Sequence, residues 1–262
     1  MTAVVAVGSV HGAPGVSTIC AATAAAAGPP GVTLVDVDPA GGCLGVMTGL
    51  GYERGLVSLA ASTRGRLSIG DVEEHFQAWG PASHLLASPP AGAQVRRALS
   101  ALDGRLVAAL ASSARPVVVD VGRIDERSLA RPFVEVAGEV WIVSSASATS
   151  ALALPGAVEA LRRVGTTVSL VVVATGPYSA EEVAEYAGAE LVQVVAEDRR
   201  AAALVAGRPG RERALRRSPL WRAARALADR LLPPGPEDAE AHVREVDDGE
   251  GERPRENDEV AS

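Results

Sequence analysis

The sequence contains no lysine. All 25 of its basic residues are arginine, so chemistry that needs a lysine ammonium is excluded. Cysteine is nearly absent: Cys20 and Cys43 stand alone, with no CxxC pair and no histidine nearby. That excludes a disulfide framework or a zinc motif and predicts two buried thiols in a reducing compartment. Aromatic residues make up only 3% of the chain, so a core must come from Val, Leu and Ala. No apolar run reaches the roughly 20 residues of a membrane span. The N-terminus lacks a basic region ahead of its apolar run, so no secretory signal is expected. A cytoplasmic location is expected from both. The net charge of −7 gives no global reason for a nucleic-acid partner.

What is present is enough apolar sequence for a sizeable core. The 262 residues, 47% apolar, suit one α/β domain or two small ones. Short β-branched runs at 3–7, 32–37, 116–121, 139–145, 167–174 and 190–195 read as strands. They are almost continuously apolar, as parallel strands buried on both faces are. A weaker strand is expected at 84–88. Helices are expected at 17–27, 93–113, 149–163, 179–187, 197–206 and 218–232. The alternation predicts a doubly wound, mostly parallel sheet with right-handed crossovers.

One stretch carries chemistry. "VAVGSVHGAPGVSTIC" at 5–20 has the outline of a phosphate-cradling loop: strand, glycine-rich turn, then a small-residue helix. A working loop reads GxxxxGK[ST]; its N–H groups surround phosphates, its lysine grips them, and its hydroxyl holds Mg²⁺. Here the first glycine is Val10 and the lysine is Val16, while Gly15, Ser17 and Thr18 remain. Further on, "LVDVDPAGG" puts Asp36 and Asp38 at one strand end and "PVVVDVG" puts Asp120 at another. Ligands of open α/β sheets bind outside such ends. A buried carboxylate there is costly unless it meets a cation, a donor or water. Asp also caps loops in ordinary use.

Together these motifs resemble those of the MinD/ParA group of deviant-Walker-A P-loop ATPases. The family loop KGGxGK[ST] is matched by His11, Gly12, Ala13, Pro14, Gly15, Val16 and Ser17; its DxDPQ segment by Asp36–Ala40; its Walker-B strand by Val117–Asp120. "GLGYERGLVSLAA" (49–61) and "VVAEDRRAAALVAGRP" (194–209) resemble two further family segments. The TadZ/CpaE-like and septum-site branches look most similar. The resemblance spans about 1–232 and implies a P-loop NTPase (SIMIBI-type) fold over that range. It also implies an ATP site at residues 11–18 (His11 to Thr18), with Mg²⁺ at Ser17 and Asp120. Asp38 and Asp120 would be the catalytic residues of an active member. The implied role is spatial organisation: chromosome partitioning, cell division or pilus localisation, through a homodimer or a protein partner.

The departures bear on that site. Val16 stands where the family grips phosphate with lysine, and His11 where the signature lysine reaches a partner's nucleotide. A charge-assisted hydrogen bond is worth about 1.5–3 kcal/mol. Losing two costs about 3–6 kcal/mol, or about two to four orders of magnitude in affinity. A protonated His11, or Arg123, Arg127 or Arg131, are the conceivable substitutes. Pro14 removes a backbone donor, and Ala13 restricts positive φ. A degenerate member with weak or absent nucleotide binding is therefore expected, with an active ATPase or a partition factor as the alternative.

The end of the chain is polarised. Residues 199–232 hold ten arginines and two acids; residues 233–262 hold eleven acids and three arginines. The acidic tail is too polar to offset its ordering entropy and is expected to be disordered. The Arg208–Arg225 region could bind DNA phosphates nonspecifically. The apolar stripe of 218–232 could instead lie on a membrane or pack on the sheet.

Overall fold

The computed structural model describes residues 4–11, 15–80 and 82–232. Gly12, Ala13 and Pro14, and the whole 233–262 tail, lie outside the described residues. The strands are β1 (Val4–Ser9), β2 (Thr33–Asp36), β3 (Gln77–Trp79), β4 (Ser83–Leu86), β5 (Val117–Arg123), β6 (Glu139–Ser145), β7 (Thr167–Ala174) and β8 (Glu190–Ala196). The helices are α1 (Val16–Ala26), α2 (Leu44–Thr48), α3 (Leu56–Ser62), α4 (Ile69–Glu73), α5 (Gly92–Leu102), α6 (Arg105–Leu110) and α7 (Arg131–Val136). They continue as α8 (Ala148–Ala151), α9 (Leu154–Arg163), α10 (Ala180–Ala187), α11 (Arg199–Val205), α12 (Glu212–Arg216) and α13 (Pro219–Leu231).

One sheet runs β3-β4-β2-β5-β1-β6-β7-β8. Every pairing is parallel except β3–β4 at one edge, which is antiparallel. This is the doubly wound α/β sheet that the uninterrupted apolar strands predict. Both faces are covered. Val117, Val119 and Val121 of β5 join a core with α3, α5, α6, α7, α9 and α10. Val118 points the other way, into a core with α1, α11 and α13. That alternation decides which side each strand carboxylate faces; Asp120, expected at a strand end, lies in the middle of β5, which continues to Arg123.

Two expectations need correction. The single helix over 93–113 is two, broken where Asp103 (φ 42°) and Gly104 (φ 70°) turn left-handed. The helix over 149–163 is also two, because Pro155 sits in the first turn of α9, a place where its missing N–H costs nothing. The amphipathic stripe expected over 218–232 packs on the protein, one of the two placements weighed for it. Leu220, Ala223, Ala224, Leu227, Ala228 and Leu231 are buried against α1 and β8. Among the described residues no helix is long and apolar enough to cross a membrane. The short α2, α4, α7 and α12 and the edge strand β3 escape sequence reading because each is under two helical turns, or three residues of strand.

Candidate functional site

The register of the central strands builds the site. β2 and β5 pair so that Asp36 stands opposite Asp120, and β1 places Val7 beside Asp120. Both aspartates share strand parity with Leu34 and Val118, so both face α1. Each is about 1% exposed. Asp36 Oδ2 accepts the Leu44 N–H at 3.1 Å, and Asp120 Oδ1 accepts the Gly122 N–H at 3.0 Å. The remaining oxygens, Asp36 Oδ1 and Asp120 Oδ2, have no hydrogen-bond partner among the described residues.

Such a pair is expensive in its charged form. Burial raises the Asp36 pKa well above the carboxylate range, and the Asp120 charge raises it further. Burial lifts Asp120 to about 6, against the opposing pull of the Ser17 hydroxyl and the Gly122 N–H. Ser17 lies near Asp120 but short of a hydrogen bond to Oδ2.

α1 begins beside this pair. Gly15 at its N-cap is left-handed (φ 97°, ψ 31°) and no side chain caps the helix. The first intrahelical bond is Ile19 N–H to Gly15 C=O at 2.9 Å. The N–H groups of Val16, Ser17 and Thr18 therefore lie before the ladder, where an anion is favoured. Val16 itself is 8% exposed and belongs to the α1-side core. His11 is exposed. Ser17 and Thr18 are half-buried.

Two open carboxylate oxygens and the Ser17 hydroxyl are hard donors of the kind Mg²⁺ accepts. Among the described residues no three His, Cys, Asp or Glu form a metal cage. Mg²⁺ is commonly held by one or two carboxylates, water and substrate phosphates, so the residues fit it. The triphosphate fits less well. It would meet backbone N–H groups but no permanent cation at positions 11 or 16.

Asp38 is a different case. It is half-buried, with burial raising its pKa, and its Oδ1 accepts the Ala40 N–H at 2.8 Å. It caps its own loop as well as flanking the cleft. Gly122 makes this possible. Its φ is +65°, and a Cβ there would lie 2.2 Å from Asp38 Cγ. Gly122→Ala is expected to destabilise the fold by about 1–3 kcal/mol and to displace Asp38, checked by denaturant unfolding and a crystal structure.

Two of the three arginines considered as substitutes are engaged elsewhere. Arg131 is bound to Glu135 at 2.5 Å and to the Glu126 C=O. Arg123 lines an apolar groove with Val10, Val121 and Ile124, on the sheet face away from α1. Arg127 is exposed. Cys43, expected to be buried, is exposed. It lies close to Ser17 and the acids, and burial of part of it, opposed by Ser17, raises its thiol. Cys20 is buried as expected.

Asp36 is the strand-end acid to which sequence reading assigned no role. Its parity with Leu34 in β2 would have found it, because Asp38 lies beyond the strand.

No family model and no curated protein sequence matches the chain. Solved structures do. A ParA family ATPase from Chlorobium tepidum TLS superposes with a TM-score of 0.71 at 18% identity, covering 87% of this chain and 97% of that one. The cell division ATPase MinD of Pyrococcus furiosus gives 0.71 at 19% identity, covering 87% and 98%. The chain has the MinD/ParA fold. The septum site-determining protein MinD of Pyrococcus horikoshii, in complex with Mg-ADP, gives 0.69 at 15% identity, covering 88% and 96%. At these identities the likeness is one of fold. Within the MinD/ParA fold, α1, the end of β2 and the middle of β5 are the places that carry Ser17, Asp36 and Asp120 in this chain.

Proposed function

We propose that this protein is a degenerate MinD/ParA-like organiser, working in the cytoplasm to position or regulate a partitioning, septal or pilus assembly through protein contacts. One observation carries the reading. The two places that need a permanent cation hold an exposed His11 and a Val16 packed into the core, in a chain with no lysine. Phosphoryl transfer depends on such cations more than on covalent chemistry. Retained fold with lost grip is what a surface-bearing relative keeps. Pairing with a second copy, or with a partner that still binds nucleotide, is the expected mode of action.

The chain's own residues would act as follows. The α1 N–H groups and Ser17 orient whatever anion enters, and Asp36 with Asp120 holds a divalent cation or a proton. A bound Mg²⁺ would supply charge neutralisation. Turnover of ATP is expected to stay at background, and Asp120→Ala is expected to leave it unchanged in a phosphate-release assay.

A second reading, an active ATPase, is favoured by the open oxygens of Asp36 and Asp120, which a metal–nucleotide complex would satisfy. It requires turnover above background that Asp120→Ala removes. DNA contact through Arg208–Arg225 is supported by the exposure of those arginines and requires DNA retention that falls with salt.

A further inference from the structure

The two helical layers carry opposite charge. On the α1 side, α11, α12 and α13 touch one another and bury their apolar residues toward the sheet. Arg199, Arg216, Arg225 and Arg230 are paired with Glu197, Glu212, Asp229 and Glu139. Arg200, Arg208, Arg211, Arg213, Arg217 and Arg222 are exposed and form no salt bridge among the described residues. On the other side of the sheet, α10 buries Ala180, Val183, Ala184 and Ala187 and turns Glu181, Glu182 and Glu185 outward. No basic residue lies between Arg163 and Arg199 in the sequence, and among the described residues none pairs with these three acids. Helix chemistry explains part of this. Glu182 completes a capping box with Ser179, and acids in the first turn suit the helix dipole. Glu185 stands in the last turn, where the dipole disfavours it, and four residues from Glu181, where like charges repel. Two of the chain's three tyrosines share that face: Tyr178 is 45% exposed and Tyr186 54%. With Leu152, which is 69% exposed, they line an apolar hollow of about 350 Å³.

We propose that the acidic, tyrosine-bearing face of α10 receives the arginine face of a second copy of this chain. Charge complementarity decides the occupant. Carboxylates accept the planar guanidinium fork, and tyrosine rings take the same group against their faces. The spacing agrees as well. Arg213 and Arg217 are four residues apart, as are Glu181 and Glu185, so each pair spans about 6 Å along its helix. α10 and α13 pack on opposite faces of the one sheet, so a single copy cannot bring the two surfaces together. The contact is therefore head-to-tail. Each docked molecule keeps one free face of each sign at the ends, and assembly runs past a dimer. The inference rests on the reading that this chain acts through protein contacts, and it names the surface that makes them. Its test needs no nucleotide, so a failure would leave the reading of the cleft standing, whereas tight ATP binding would defeat that reading alone.

The test is sedimentation velocity on the full chain at low salt, from micromolar to submillimolar protein. The sedimentation coefficient is expected to rise with concentration beyond that of a dimer. It is expected to return to the monomer value at about 1 M salt, where the screening length falls to about 3 Å. Two charge-reversed variants locate the contact: Glu181→Arg with Glu185→Arg, which spares the capping residue Glu182, and Arg213→Glu with Arg217→Glu. Each alone is expected to stay monomeric. Mixed in equal amounts they are expected to assemble again, a recovery that a misfolded variant could not give. Tyr186→Ala, which changes no charge, is expected to weaken assembly by about two- to fivefold. A native chain that stays monomeric at low salt, a plateau at the dimer, or a mixture of the two variants that fails to assemble would each overturn the proposal.

Discussion

Replacing His11 and Val16 together by lysine is expected to raise the affinity for ATP with Mg²⁺ by about two to four orders of magnitude, from two charge-assisted contacts of about 1.5–3 kcal/mol each. The scaffold for the gain is already in place. α1 is uncapped, with Ser17 and Thr18 in its first turn, and the acids that would meet the metal remain open. Val16 packs in the core, so Val16→Lys places an ammonium where burial is costly until an anion arrives. The variant should therefore melt lower than the native protein when free. ATP should restore it, because ligand at about 100 times Kd stabilises by about 2.7 kcal/mol. Thermal shift with and without ATP checks both halves. If the double variant binds no better than the native chain, missing cations are not what limits the site.

Asp120→Asn is expected to stabilise the ligand-free protein at neutral pH, by about 3 kcal/mol. The sign follows from the direction of the shift. Asp120 is held at about 6 in the fold, whereas an unstructured aspartate titrates near about 3.9. Between those values the folded state keeps a proton that the unfolded chain has released. Stability therefore falls as pH rises from about 4 through about 6, and the whole cost is present above that window. Asparagine keeps an acceptor for the Gly122 N–H and removes the buried charge next to Asp36. For a domain of this size, about 1 kcal/mol moves the melting temperature by roughly 2–4 °C. The variant should gain roughly 6–12 °C at pH 7.5 and converge with the native chain near pH 4. A difference in melting temperature that ignores pH would show that Asp120 is not the group concerned.

The sheet was legible because its strands are buried on both faces. Runs such as Val117–Val119 leave no polar alternation for an exposed strand to use. Asp120 was legible because it closes such a run. Asp36 was harder, because Asp38 two residues on is just as acidic, and only the pairing of β2 with β5 shows which carboxylate is opposite Asp120. Strand parity carries that information, but spacing alone does not say where β2 ends. Val16 was legible as a missing lysine. That it fills core volume rather than standing in an empty cradle depends on how α1 lies against β1 and β5. Cys43 was misread because loop residues between Asp36 and α2 have no periodicity to report burial. The breaks at Gly104 and Pro155 were signalled in the sequence, by residues that end or start a helix. The apolar spacing running through them obscured those signals.

The site's central claim is that the cleft has kept its acids and lost its grip on phosphate. Isothermal titration of the native, full-length chain with ATP and Mg²⁺ tests this most directly. No saturable binding tighter than about millimolar is expected, with about 4 kcal/mol as the ceiling on binding free energy. A micromolar dissociation constant that is lost in Asp120→Ala would contradict it.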